Sequence, residues 1–196
     1  METIKHKFHE NPLPVWECKT LILGTFNPEK GSNADYYYGR LRQTGGWSNR
    51  FWPAVNSYLE ANISEIPFTE KGDKKSKVKI MSKFKFGCID LISQVDCENE
   101  KDITGNGFPD SAIFSSLNKR YYNTSLIIDF INGNKVNKII SSFGKGSSLN
   151  KEARNEIEII SLSCPNAVFH LFDLPAFGRP LMSTERFGKE IFKFIL

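Results

Sequence analysis

The sequence lacks most of the patterns by which a membrane or secreted protein is recognised. Its apolar runs are all far shorter than the roughly 20 residues that a membrane-spanning helix needs. The charged N-terminus, METIKHKFHENP, has no apolar centre of the kind that signal peptides carry. These absences predict a soluble, cytoplasmic protein with no membrane partner.

Cysteine and histidine are scarce, and neither forms a recognisable set of metal ligands. The four cysteines include no CxxC pair: Cys18, Cys88, Cys97 and Cys164. They are predicted to be free thiols in or near the core; an iron–sulfur cluster is the alternative, but the closely spaced ligands typical of one are missing. His6 and His9 are predicted to be exposed, and His170 to pack inside a strand. We therefore expect neither a metal nor an organic cofactor.

Two motifs of common α/β enzymes are also missing. There is no Gly-x-Ser-x-Gly elbow and no complete GxxxxGK[ST] phosphate loop. The segment Gly144-Lys145-Gly146-Ser147-Ser148 lacks the GxxxxGK[ST] spacing and is interpreted as a strand-to-helix turn. An unrelated α/β hydrolase or nucleotide-binding enzyme is therefore the last-ranked functional hypothesis.

The composition is that of a folded chain with a substantial core. Hydrophobic residues make up 40% and aromatic residues 13% of 196 residues, which excludes disorder. No boundary between domains is visible, so residues 1–196 are predicted to form a single domain. The formal net charge of +4 is a mild indication of a polyanionic partner.

Short apolar runs alternate with amphipathic segments along the chain. Buried strands are predicted over four segments: 21–23, 86–92, 138–143 and 167–172. Helices are predicted at 51–61, 151–161 and 184–196, with a further helix N-terminus at Asp110. This alternation predicts an α/β fold, a three-layer sandwich whose central, mainly parallel four-stranded sheet is flanked by helices.

Residues 71–85 contain seven lysines and one acidic residue, Asp73. The favoured interpretation is a solvated surface loop. The alternative is a phosphate-contacting patch, which requires an active site nearby.

The segment 21–59 carries the most unusual chemistry. An apolar strand stops at Gly24, and a polar loop with three tyrosines and two arginines leads to a helix that begins near Arg50. In a parallel sheet, the loops after the first and last strands can meet at one edge. Aromatic rings beside arginines suit a planar, anionic ligand such as a nucleotide.

These loops resemble motifs of the uracil-DNA glycosylase superfamily, nearest its mismatch-specific and hypoxanthine (deoxyinosine) glycosylase branches. The first set is the turn Asn27-Pro28, the aromatic Tyr38, and the helix start Asn49-Arg50-Phe51-Trp52. The second comprises Gly87–Ile92 and Asp110–Ile113, in the order of the hypoxanthine branch. The third is the strand end at 174–175, where the family has a loop that enters the DNA minor groove.

The resemblance implies a monofunctional, monomeric DNA glycosylase that hydrolyses the N-glycosidic bond of a flipped, deaminated base, uracil or hypoxanthine, in base-excision repair. Asn27 would position the attacking water through its amide carbonyl, and Asn49 would be the second catalytic residue. The base would be bound by four residues: Thr25, Phe26, Tyr38 and Asp90. DNA would be bound by five residues, two of them at the tip of the last loop: Arg40, Arg42, Phe177, Gly178 and Arg179.

The chain also departs from the family pattern. About eight residues, Leu41 to Ser48, are inserted before the helix, and Ala176 and Gly178 stand where serines are expected. Asn27 also has a structural interpretation as a turn residue, and Asn49 as a helix cap. The alternative function is therefore a nucleic-acid-binding module on the same fold with weakened or lost catalysis.

Overall fold

The structure is a computed structural model that describes residues 1–41, 47–63, 74–104, 110–144, 149–177 and 182–196. Its strands are β1 (Glu2–Lys5), β2 (Thr20–Gly24), β3 (Phe86–Asp90), β4 (Ile92–Cys97), β5 (Lys119–Tyr122), β6 (Lys138–Ser141) and β7 (Val168–His170). Its helices are α1 (Phe51–Asn62), α2 (Lys74–Lys83), α3 (Asp110–Ile113), α4 (Thr124–Asn134), α5 (Lys151–Ser163) and α6 (Thr184–Ile195). None of these helices combines the length and the apolar character needed to cross a bilayer.

The central sheet is parallel and has four strands, in the order β3-β2-β6-β7. Every residue of β2 and β3 is buried, as expected for strands covered on both faces. Each of the four predicted strands is present, so the predicted central sheet is confirmed. The structure shortens the last two, to 138–141 and 168–170.

Helices cover both faces of this sheet. On one face Ile22, Cys88 and Ile140 pack in a core with α1, α2 and α6. On the other face Leu21 and Leu23 pack with α4 and α5. Because neighbouring residues of a strand point to opposite faces, one apolar strand supplies both cores. The predicted three-layer α/β sandwich is confirmed.

A second, antiparallel sheet was not predicted. Its order is β1-β4-β5, and β1 lies in the charged N-terminal segment, for which no strand was predicted. The predicted strand 86–92 is wrong at its end, because the chain leaves the central sheet after Asp90 and enters β4 at Ile92. At the step between the sheets, the Leu91 amide donates to the Gly24 carbonyl at 2.9 Å.

The interpretation of residues 71–85 as a surface loop is wrong, because α2 occupies 74–83. Lys77, Ile80 and Met81 are buried on one face of the helix, which packs in the core of the α1 and α6 layer. Lys77 is fully buried, and its Nζ lies 2.5 and 2.6 Å from the carboxylate oxygens of Asp35. The high lysine content of this segment did not exclude a helix, because lysine is a good helix former, but it was not enough to identify one.

Candidate active site

The loops that follow β2 and β7 meet at the carboxyl edge of the central sheet. The chain passes from β2 to β3 on one side and later to β6 on the other, so β2 lies beside a topological switch point, where open α/β sheets bind ligands. The Phe177 amide donates to the Ser142 carbonyl at 3.0 Å, and the rings of Tyr38 and Phe177 lie 5.2 Å apart. The predicted meeting of the first and last loops is confirmed.

Asp90 is the buried carboxylate at this edge. It ends β3 and is paired with Gly24 at the end of β2. Its side chain lies across the Gly24 backbone so closely that a Cβ at position 24 would be 1.9 Å from Asp90 Oδ1. Any residue other than glycine would displace the carboxylate. Asp90 Oδ1 accepts no hydrogen bond from the described residues, whereas Oδ2 has a partner.

That partner is His6, for which the sequence predicted exposure to solvent. His6 is 2% exposed, and its Nε2 lies 2.7 Å from Asp90 Oδ2. The imidazole is surrounded by the rings of Phe8, Phe26 and Tyr37, with centroids 5.6 to 5.9 Å away. The expectation was wrong because a histidine between two lysines resembles a surface residue, whereas β1 brings this segment against the second sheet.

A backbone hydrogen bond determines which ring nitrogen of His6 carries the proton. The Phe8 amide donates to His6 Nδ1 at 3.1 Å, so this nitrogen is the acceptor. The proton of the neutral ring is then on Nε2, which donates to the Asp90 carboxylate. The pair is therefore a neutral imidazole that orients a carboxylate.

Asn27 and Arg40 lie in the same polar cluster. Asn27 Oδ1 accepts from Ser32 Oγ at 3.0 Å and from Arg40 Nη2 at 3.1 Å. Because a guanidinium only donates, the atom facing Arg40 must be the amide oxygen. Both lone pairs of that oxygen are occupied, and the Asn27 amide nitrogen donates to no described residue. Burial lowers the pKa of Arg40, whereas the charges of Asp90 and Asp110 raise it.

Asp110 is the second carboxylate of the cluster; the sequence predicted a helix N-terminus here but did not assign Asp110 to the site. It begins α3 and accepts a long hydrogen bond, 3.4 Å, from Thr25 Oγ1. Its side chain is open to solvent, yet protein surrounds it closely enough for desolvation to raise its pKa. The Asp90 charge raises this pKa further, while Thr25 and Arg40 oppose the shift. Asp110 therefore forms the solvent-facing side of the cluster.

Tyr38 points into the protein from a strained backbone. Its φ is +57°, which is rare for a bulky residue, and its ring packs 5.0 Å from that of Phe51. The hydroxyl would lie 3.0 Å from a Cβ at Gly24, so it reaches the floor of the polar cluster. Burial raises its pKa well above the ordinary value, and Cys88 and Asp90 raise it further. The hydroxyl is buried and has no partner of normal hydrogen-bond geometry among the described residues.

Three of the predicted site residues make structural contacts that explain their positions without a role in the site. Asn49 donates to the Tyr38 carbonyl at 3.0 Å and accepts from the Phe51 amide at 3.0 Å, so its side chain joins the Tyr38 backbone to the first residue of α1. Phe26 is 6% exposed in the core beneath the second sheet. The expected exposed tip at Phe177 is wrong: its ring is 2% exposed and stacks on Phe51.

Three further predicted residues lie outside the described part of the chain: Arg42, Gly178 and Arg179. The predicted turn at 144–148 lies outside it except for Gly144. All four cysteines are described, and they are buried free thiols, as predicted. Among the described residues, no three His, Cys, Asp or Glu side chains are grouped to hold a metal ion.

An open hollow of about 690 Å³ lies at the opposite, amino edge of the sheet. Its lining includes Trp16, Lys19 and Lys135. It contains no buried polar cluster, so we assign the site to the carboxyl edge, where His6, Asp90 and Asn27 are each at most 8% exposed. Comparison of the chain with protein-family models, curated proteins and solved structures found no match.

Proposed function

We propose that this chain hydrolyses the N-glycosidic bond of a deaminated base in DNA, uracil or hypoxanthine. One observation carries the proposal: Asp90, Asp110 and Asn27 converge at the carboxyl edge of the sheet, with Asp90 oriented by a buried imidazole. The resemblance of the loops to glycosylase motifs supports the same reaction.

The reaction places opposite charges on its two halves. The sugar develops oxocarbenium character, the base leaves as an anion, and water attacks the anomeric carbon. A fixed carboxylate stabilises the first of these charges and orients the water. Asp90 suits this role because His6 holds Oδ2 at 2.7 Å, while Oδ1 accepts no hydrogen bond from the described residues.

Asn27 and Arg40 suit the departing base. The Asn27 carbonyl already accepts hydrogen bonds from Ser32 and Arg40, so we propose that its amide N–H, rather than its carbonyl, contacts the substrate. Uracil and hypoxanthine both present a carbonyl oxygen to such a donor. The nearby Arg40 cation favours negative charge on that oxygen in the transition state. This changes the role expected for Asn27 from water positioning to base recognition.

The alternative, a nucleic-acid-binding module without catalysis, is favoured by the structural contacts of Asn49 and Phe177. Asn49 contacts the backbone at both ends of its amide, and Phe177 is packed in the core. Neither side chain, in these positions, performs the part that the glycosylase motifs imply.

The test is base release from oligonucleotides that each carry one uracil, hypoxanthine or xanthine. We expect the wild-type protein to leave an abasic site, and Asp90→Asn to slow single-turnover release about 10²- to 10⁴-fold. Asp102→Asn, which changes an exposed carboxylate on the second-sheet side, is the matched control and should keep the wild-type rate.

Two outcomes contradict the proposal. Folded wild-type protein that releases none of the three bases excludes the activity on these lesions. Salt-sensitive DNA binding without base release, unchanged in Asn27→Ala and Asn49→Ala, establishes the binding module instead.

A further inference from the structure

Helix α2 has an exposed face composed of lysines. The sequence KKSKVKIMSK includes no acidic residue. Four of its lysines are exposed: Lys74, Lys75, Lys79 and Lys83. Three of these, Lys75, Lys79 and Lys83, are four residues apart and so form a row along one side of the helix, with about 6 Å between successive positions.

This charge pattern does not serve the stability of the helix. Like charges four residues apart destabilise a helix by about 0.2–0.5 kcal/mol for each pair. Helix α6 has the usual arrangement, in which Lys189 contacts Glu185 at 2.7 Å and Lys193 contacts Glu190 at 2.7 Å. The residues of α2 itself include no acidic side chain.

The opposite face attaches α2 to the loop that contains part of the polar cluster. Lys77 binds Asp35, and the Lys74 ammonium lies 5.6 Å from the centre of the Tyr36 ring. Asp35 is five residues from Arg40, which contacts Asn27, so at most about 18 Å of chain separates the two contacts. Lys77 Nζ would also lie 2.9 Å from a Cβ at Gly39, the residue before Arg40, so α2 lies against the loop that supplies Arg40 to the candidate site.

We propose that the row Lys75, Lys79 and Lys83 is a surface that contacts the phosphate backbone of a nucleic acid. The choice of a nucleic acid as the polyanion rests on the proposed function. The positive charge of the helix does not depend on the proposed function. One strand of duplex DNA has a phosphate for about each 3.4 Å of axis, so lysines about 6 Å apart match roughly every second phosphate. A lysine ammonium contacts phosphate as a point charge and does not recognise the bases, so the surface binds without sequence preference.

The experiment measures binding of lesion-free duplex and single-stranded oligonucleotides by fluorescence anisotropy over a range of salt concentrations. The test protein is the triple variant Lys75→Gln, Lys79→Gln and Lys83→Gln. The control is Lys101→Gln, Lys135→Gln and Lys151→Gln, which removes the same charge from exposed positions on other elements. Thermal unfolding of both variants establishes that they are folded.

For duplex DNA we expect the slope of log affinity against log salt to become shallower by up to about 2.7 in the α2 variant, because each lost phosphate contact contributes about 0.9. The control should keep the wild-type slope. An equal loss in both variants would show that net charge alone attracts DNA, and no loss in either would exclude α2 from the contact. Loss of binding to anionic phospholipid vesicles, with DNA binding intact, would identify a lipid surface as the partner and overturn the proposal.

The result of this binding experiment can be distinguished from the result of the base-release test of the proposed function. Because lesion-free DNA is used, the α2 surface can be established in a protein that releases no base. Conversely, base release with an unchanged salt slope in the α2 variant would support the glycosylase and remove α2 from its DNA contact.

Discussion

His6 and Asp90 form a buried pair across 84 residues of sequence, with His6 Nε2 2.7 Å from Asp90 Oδ2. The two side chains are 2% and 6% exposed. The imidazole belongs to the segment that follows β1 of the antiparallel sheet, and the carboxylate ends β3 of the parallel sheet. The pair therefore joins the two sheets at the candidate site.

Removal of the His6 donor should destabilise the protein. Because His6→Leu leaves the Asp90 carboxylate buried without its hydrogen bond, we expect the free energy of unfolding to fall by about 2–3 kcal/mol. His6→Gln retains an amide N–H near the position of Nε2 and should lose about 1 kcal/mol. Urea denaturation at neutral pH measures both changes. Equal losses in the two variants would mean that ring packing, rather than the hydrogen bond, accounts for the contribution of His6.

Gly24 should tolerate no side chain. In Gly24→Ala the new Cβ would lie 1.9 Å from Asp90 Oδ1, so the carboxylate or the strand must move. We expect a loss of about 1–3 kcal/mol in unfolding free energy, together with a fall in base release. Gly133→Ala is the control, since a Cβ there meets nothing within 4 Å and a helical alanine should raise stability by about 0.5–1 kcal/mol. A Gly24→Ala protein with wild-type stability and activity would show that Asp90 need not keep its position.

Asp110 should make stability fall as the pH rises. Its pKa is raised in the folded protein, mainly by desolvation, so the folded state binds this proton more tightly than the unfolded state does. The contribution is fully present below the unfolded pKa of about 3.9 and is lost as the pH rises through the higher folded pKa. Asp110→Asn should therefore gain stability relative to wild type as the pH rises above the unfolded pKa of about 3.9 and through the raised folded pKa.

Glu185→Gln is the opposite control for this titration. Its hydrogen bond to Lys189 lowers the pKa of Glu185, so its contribution is present above the unfolded pKa and is lost as the pH falls through the folded pKa. The stability of Glu185→Gln relative to wild type should thus decrease as the pH rises. Urea denaturation across the pH range measures both differences, and a flat difference for Asp110→Asn would contradict the expected effect.

The buried ion pair of Lys77 and Asp35 should contribute more than any pair on the surface. Lys77 is fully buried, whereas Asp35 is 27% exposed, so Lys77→Ala leaves a partly buried carboxylate and a cavity. We expect a loss of about 3–5 kcal/mol, against at most about 0.5 kcal/mol for Lys189→Ala on α6. A double-mutant cycle with Asp35→Ala measures the coupling. Coupling near zero would assign the loss to other contacts of Lys77, whose Nζ lies 4.9 Å from the centre of the Trp47 ring and 5.7 Å from that of Trp52.

The parallel sheet could be predicted because its strands are continuous apolar runs between turns. A strand covered on both faces must be apolar throughout, and β2 shows this pattern in its sequence, TLILG. The meeting of the loops after β2 and β7 followed from the rule that parallel strands present their carboxyl ends at one edge. Asp90 was assigned to the base-binding set from the resemblance of residues 87–92 to a glycosylase motif, although the predicted strand continued two residues beyond it.

The remaining features depend on contacts that no local pattern encodes. His6 stands in a charged segment, and it is buried by contacts with Phe26, Tyr37 and Asp90, which lie 20 to 84 positions away. The apolar pattern continues through Leu91, so the change of sheet after Asp90 left no signal in the periodicity. Lys77 has the sequence character of a surface residue, and its burial depends on the distant Asp35 carboxylate.

The position of β1 has a consequence for the order in which the site is completed during synthesis. His6 is translated early, but its partner Asp90 and the β4 residues that pair with β1, 94–97, follow some ninety residues later. Before then the segment can contact only nearer residues, such as Asn27 and Glu29, and its contacts with Asp90 and β4 close a loop of some ninety residues. A protease that cuts just after His6 would leave every strand of the parallel sheet covalently intact, yet it would free the donor that orients Asp90.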